Sequence, residues 1–252
     1  TLALNGYSGA IDSLAGAGSV TFGTNGALTL TGATTTSFSG QLTGDASATF
    51  TQNGSGSLAI GAQTGFAGNF VIQQGTVQAS NNASFGTGTL TLAGGTLASS
   101  VNLTFANDLS VTGPATIANT NATSNRTFTF SSNNITSSGA SPSLAVTGTG
   151  TGSTTLAFIG SGFNFGSAIN LASNTQLTSG NTTGTQTFSG VISGSGAFLV
   201  SGGGTTVLSG ANTFSGGVTL SGGELDVGND SALGTDTLTL GAGTFAAVGG
   251  AH

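Results

Sequence analysis

Seven acids (Asp12, Asp45, Asp108, Glu224, Asp226, Asp230, Asp236), one arginine (Arg126) and one histidine (His252) carry nearly all the acid–base chemistry of this 252-residue chain. Glu224 and Asp226 lie two apart, so a strand would place both on one face. A glycoside hydrolase needs two carboxylates at a set separation, and this pair is the nearest approach to one. A solvated strand edge explains it equally. A polysaccharide lyase needs a base ringed by cations, and one arginine does not supply them. His252 stands at the chain end, so no Ser-His-Asp relay is expected.

Calcium takes six to eight oxygen ligands. Glu224, Asp226, Asp230 and Asp236 bring four acids together, but the equivalent stretch upstream carries Thr76, Gln78, Asn82 and Gly88. The acids are therefore not a repeated feature, and solubility accounts for them. Glycine-rich runs such as Gly148–Thr154 and Gly202–Thr206 lack the lysine of a phosphate loop. Thr89/Thr91, Thr127/Thr129 and Thr237/Thr239 form Thr-x-Thr pairs that would suit an ice-binding surface, although strand propensity alone favours threonine there. Asn-x-Ser/Thr triplets, for example at Asn53, Asn102 and Asn181, arise by chance in so Asn-, Ser- and Thr-rich a chain. No cofactor or metal site is expected.

Charged residues are only 3% of the chain, while 36% is hydrophobic and 16 residues are phenylalanine. That is enough apolar material for a core and too little charge for disorder driven by charge. A net charge of −6 with a single cation disfavours nucleic acid, whose binding depends on neutralising phosphates. There is no cysteine to form a disulfide framework. No apolar run reaches the roughly 18 residues of a membrane helix. The opening Thr-Leu-Ala-Leu-Asn-Gly does not read as a secretion signal.

The elements that must position these residues are short strands. Thr89–Leu92, Thr127–Phe130 and Leu225–Val227 alternate polar and apolar with period two. Gly, Asn and Ser clusters break the chain every few residues, and no amphipathic helix is apparent.

An aromatic-small-Gly triplet recurs at Tyr7, Phe38, Phe66, Phe188 and Phe214. Its spacings of 31 (38 − 7), 28 (66 − 38) and 26 (214 − 188) lie in the range of solenoid repeats. Residues 66–98 align with 214–246 without a gap, pairing Gly75 with Gly223 and Leu90 and Leu92 with Leu238 and Leu240. Ordered repetition favours stacked coils. Leu90, Leu92, Leu238 and Leu240 are expected to point inward and stack in columns. Coils of roughly 20–30 residues would give about 9–12 turns and a rod of roughly 45–60 Å.

The phrases Phe188-Ser-Gly-Val-Ile-Ser-Gly, Ala211-Asn-Thr-Phe-Ser-Gly-Gly, Gly222-Gly-Glu-Leu-Asp-Val-Gly and Ser231-Ala-Leu-Gly, in that order, resemble the autotransporter passenger-associated β-strand repeat. The resemblance is clearest over 188–246, more diverged over 16–98, and one of texture only over 99–187. It implies a right-handed parallel β-helix at or beyond a bacterial cell surface, serving as adhesin, stalk or scaffold. The membrane barrel of autotransporters is not among these residues, which reads as a fragment, a cleaved passenger or a repeat protein exported by another route.

The fold expected is thus all-β: one continuous single-stranded right-handed parallel β-helix (β-solenoid) over residues 1–252. The function expected is non-enzymatic: an extracellular structural or adhesive rod that self-associates end to end or laterally, with surface or matrix polysaccharide as a further partner. A carbohydrate-binding or carbohydrate-active β-helix and an ice-binding solenoid are the alternatives.

Overall fold

The computed structural model describes residues 1–248. Runs of alternating apolar and hydroxyl residues, cut by Gly, Asn and Ser, form strands of two to six residues. No helix occurs among the described residues, and so none is long and apolar enough to cross a membrane. The strands pair in parallel from the first turn to the last. Such short parallel strands need long connections, and here each connection is the rest of a coil. The chain is a β-solenoid.

Three faces run along the rod. The first begins with Leu2–Ala3, Ser19–Thr21, Gln41–Gly44 and Gly65–Phe66, then resumes at Leu103–Phe105 and ends at Leu238–Leu240. In the turns that have both a third-face and a first-face strand, each part follows the third-face strand and precedes a second-face strand. Residues 80–89 fill the gap without forming a strand, and Thr87 still donates its N–H to the Phe66 carbonyl at 2.9 Å. The second face holds seven strands from Ser8–Ile11 to Ile135–Ser137 and five from Phe163–Phe165 to Thr244–Ala247. The third holds eight, from Thr35–Phe38 to Ile192–Gly194.

The second face thus counts about twelve turns. At about 4.8 Å per step the rod is roughly 55–60 Å long. Successive turns take between 18 residues (Leu2 to Val20) and 29 (Pro114 to Ser143). The longest turns lie in the middle third, where residues 120–125 and 149–153 bulge outward between strands. Those bulges are why the repeat is hard to see there.

Alternation places one side chain in two inside. Fifteen of the sixteen phenylalanines are buried, and the exception is Phe245 in the last turn. Their rings form a ladder: Phe50, Phe70, Phe85, Phe105, Phe130 and Phe158 follow at centroid distances of 4.8–5.9 Å. Phe158 meets four rings, those of Phe130, Phe163, Phe165 and Phe188. From Phe188 the ladder continues through Phe198 to Phe214. Tilted and edge-to-face pairs of this kind add about 0.5–1.5 kcal/mol each beyond simple burial.

Candidate functional surfaces

The aromatic-small-Gly triplet marks a corner rather than a turn length. Phe38 ends a third-face strand, Phe66 a first-face strand and Phe188 a second-face strand, and all three are buried. The glycine two residues later lies against the coil before it. A Cβ on Gly40 would stand 1.7 Å from the Gly18 carbonyl oxygen, and one on Gly190 would stand 2.1 Å from that of Ser167. Only glycine lets the backbone pass so close. The spacings of 26–31 therefore skip between faces, whereas adjacent regular turns are 19–22 residues apart, as in Leu28 to Phe50 to Phe70 to Leu90. Tyr7 is 76% exposed. It sits on the first coil, and Gly9 lies within a strand, not at such a corner.

Gly75 and Gly223 keep the same local geometry, each one residue before a strand, though on different faces. Both adopt positive φ, +64° and +69°, and a Cβ on either would press on a carbonyl oxygen of the preceding coil, at 2.2 Å and 2.4 Å. The four leucines do not fall in one pair of columns. Leu90 and Leu92 are buried on the second face, but Leu238 and Leu240 belong to the first. Leu238 packs against the core, while Leu240 is 62% exposed because no described turn covers it. The offset of 148 residues spans six and two-thirds turns, so the second copy is rotated about the rod axis relative to the first.

Two buried amide side chains escaped the sequence reading. Gln63 accepts the Leu42 N–H at 2.6 Å, and Asn212 accepts the Ile192 N–H at 2.8 Å. Leu42 and Ile192 each lie four residues after a corner phenylalanine, Phe38 or Phe188. The side chain supplies a rung that the backbone ladder omits at the corner, and an unpaired buried N–H there would be costly. Asn212 also donates to the Ala232 carbonyl at 2.6 Å. A third buried group links three turns: Gln186 donates to the carbonyls of Phe158 and Gly160, and Ser179 bonds both Gln186 and Thr206. The position of a Gln before a corner would have been the signal, but polar residues are so common here that it does not stand out.

Outward side chains form columns one turn apart. On the third face Thr35, Ser57, Thr76, Thr96 and Thr116 follow in register. The neighbouring column is Ser37, Ala59, Gln78, Ala98 and Ala118, and Gln78 reaches two turns along to the Thr120 hydroxyl at 3.0 Å. The three Thr-x-Thr pairs do not form one plane. Thr91 lies on the second face, Thr129 and Thr239 on the first, and Ala157 and Leu199 interrupt that first-face column.

Glu224 and Asp226 do share the outer face of one strand. Glu224 accepts a hydrogen bond from the Thr205 hydroxyl at 3.2 Å. Asp226 sits between Val207 and Ala246 in the outer column, and its Oδ1 is buried without a hydrogen-bond partner. Desolvation by these neighbours, and then repulsion from Glu224, raise its pKa above the ordinary carboxylate value. Among the described residues no three acids or histidines come together in a way that could hold a metal ion. Arg126 donates to the carbonyls of Ser100 and Asn125, bracing a corner. His252 lies outside the described residues.

Searches of curated proteins and of solved structures return no match to the chain. A family model, the passenger-associated-transport repeat, matches residues 50–79 and 198–227. The two matches are themselves 148 residues apart, and each covers a run of consecutive strands and corners, the second including the buried Asn212. The chain is therefore a β-solenoid in which two stretches are similar to the autotransporter passenger repeat.

Proposed function

We propose that the chain is a non-enzymatic structural or adhesive rod, secreted by a bacterium or exposed on its surface. The observation that carries this reading is the unbroken stack of about twelve turns in which two passenger-type repeats are embedded. A solenoid of this kind is stiff because every backbone rung and every core side chain is shared with the next turn. Its work is to hold surfaces or ends at a distance, and its scarce charge suits dense packing. Fusing the chain to an outer-membrane translocator tests the reading. Exposure to external antibody and protease, with no turnover of acidic or neutral glycans, supports it. Retention inside the cell, or glycan cleavage, contradicts it.

A second reading concerns the third face. The hydroxyl column Thr35, Ser57, Thr76, Thr96 and Thr116 offers donors and acceptors about every 4.8 Å, a pattern suited to an extended polysaccharide lying along the rod. A glycan array read against the quadruple variant Ser57→Val, Thr76→Val, Thr96→Val and Thr116→Val tests it. Equal glycan binding by both proteins, or none by either, would rule it out.

A further inference from the structure

We infer that the third face is an interface between two copies of this chain, packed face to face with the rods antiparallel. This pairing requires the rod's fold and not its place in the cell.

The third face is the longest unbroken sheet of the molecule, with eight parallel strands from Thr35–Phe38 to Ile192–Gly194. No charged residue stands in any of them. The other faces differ. Asp108 directly precedes a second-face strand, and Glu224 and Asp226 lie within another. Arg126 opens a first-face strand, and that face also presents Gln176 and Leu199.

The relief of the third face is low. Threonine, serine and alanine supply nearly all its outward side chains. The two long ones, Gln78 and Asn170, are tied down along the rod. Gln78 donates to the Thr120 hydroxyl at 3.0 Å, two turns on, and Ala98 in the turn between is only 1% exposed although it points outward. Asn170 donates to the Ser193 hydroxyl of the next turn at 3.1 Å. What remains is a set of shallow ridges one turn apart. A second copy carries the same spacing of about 4.8 Å, so its ridges fit the grooves between them along the whole face. Paired sheets of small and amide side chains interdigitate in this way. The same hydroxyls serve the glycan reading, so the two occupants exclude one another. The lack of outward aromatic or charged side chains favours a second sheet.

The area suffices. Eight strands about 4.8 Å apart, each about four residues wide at about 3.3 Å per residue, cover roughly 500 Å². Two copies then bury roughly 1,000 Å², the size at which a specific interface begins. A two-fold axis places the same patch on both copies. The acids set its direction. Glu224, Asp226, Asp230 and Asp236 all lie beyond the last strand of the face, toward one end of the rod. Parallel rods would bring the two acidic groups together, and antiparallel rods hold them apart. Thr96 then stands opposite the second copy's Thr116.

The chain has no cysteine, so single introduced thiols report the contact cleanly. In the antiparallel pair Thr116 lies about one step of 4.8 Å along the rod from its own counterpart, and Thr35 lies about seven steps, roughly 34 Å, from its own. A short bis-maleimide is expected to link Thr116→Cys into a covalent dimer at least tenfold faster than Thr35→Cys. The same excess is expected over Thr219→Cys, which lies on the first face. Sedimentation at high concentration is expected to show the unsubstituted chain as a dimer and Thr96→Glu/Thr116→Glu as a monomer. Thr155→Glu/Thr219→Glu adds the same charge to the first face and is expected to stay dimeric. A monomeric unsubstituted chain overturns the pairing, with or without glycan binding. Equal dissociation of the two glutamate variants also overturns it, as does linkage of Thr35→Cys or Thr219→Cys as fast as Thr116→Cys. Dimers from a chain that is not displayed on the cell leave the pairing standing and overturn the surface-rod reading alone.

Discussion

Leu92 is buried and Leu240 is 62% exposed, although they occupy the same position in two aligned stretches of sequence. Burial in this molecule is conferred by the next coil, not by the local sequence. Leu92→Ala is expected to lower stability by about 2–5 kcal/mol, the usual effect of truncating a core leucine. Leu240→Ala is expected to change it by less than about 0.5 kcal/mol. Urea unfolding followed by circular dichroism separates the two.

Phe158 is the hub of the aromatic ladder, in contact with four other rings. Phe158→Ala is expected to cost about 3–5 kcal/mol. Phe158→Leu keeps most of the volume and loses the ring contacts, so a smaller loss is expected. If the alanine variant unfolds at the wild-type midpoint, the ladder contributes nothing at that point.

Glycine content alone does not say which glycines matter. Gly75→Ala introduces a side chain at φ +64° and 2.2 Å from the Gly56 carbonyl oxygen, and a loss of more than about 1 kcal/mol is expected. A Cβ on Gly61 would meet nothing within 4 Å, and its φ is not positive. Gly61→Ala is expected to be neutral or to stabilise by about 0.4–1 kcal/mol, through the unfolded state. Thermal melting of the two variants side by side checks the contrast.

The acids respond to pH in opposite senses. Asp226 has a pKa raised by desolvation and then by Glu224, so its ionised form is disfavoured in the fold. Its penalty is present above the folded pKa, shrinks as pH falls through that value, and is gone below the ordinary 3.8. Asp226→Asn is therefore expected to stabilise the chain near pH 7 and to have no such benefit at pH 3. Asp45 is lowered, chiefly by hydrogen bonds from the Ser47 hydroxyl and backbone N–H. Its contribution is present above 3.8 and is lost as pH falls through the lower folded value. Melting temperatures of Asp226→Asn and Asp45→Asn across that range are expected to diverge from wild type in opposite directions at neutral pH.

The solenoid was legible because period-two alternation at Thr89–Leu92 and Thr127–Phe130 and the ordered 148-residue repeat both demand short stacked strands. The length of a turn was not legible. The aromatic-small-Gly triplet marks corners on all three faces, so its spacing mixes whole turns with thirds of a turn. The pairing of Glu224 with Asp226 followed directly from alternation. Gln63 and Asn212 did not stand out, because their role depends on an N–H one coil away that no local pattern reveals.

The central claim, that successive coils lie in register, is tested most directly by disulfide trapping within one chain. Val71 and Thr91 are outward neighbours on adjacent turns of the second face, and Ser110 lies one turn beyond Thr91. Adjacent parallel strands are about 4.8 Å apart, within the Cα separation a disulfide accepts, whereas two steps of about 9.6 Å exceed it. Rapid intramolecular oxidation of Val71→Cys/Thr91→Cys with no bond in Val71→Cys/Ser110→Cys is the result expected. The opposite pattern, or equal oxidation of both, would contradict the stacked-coil account.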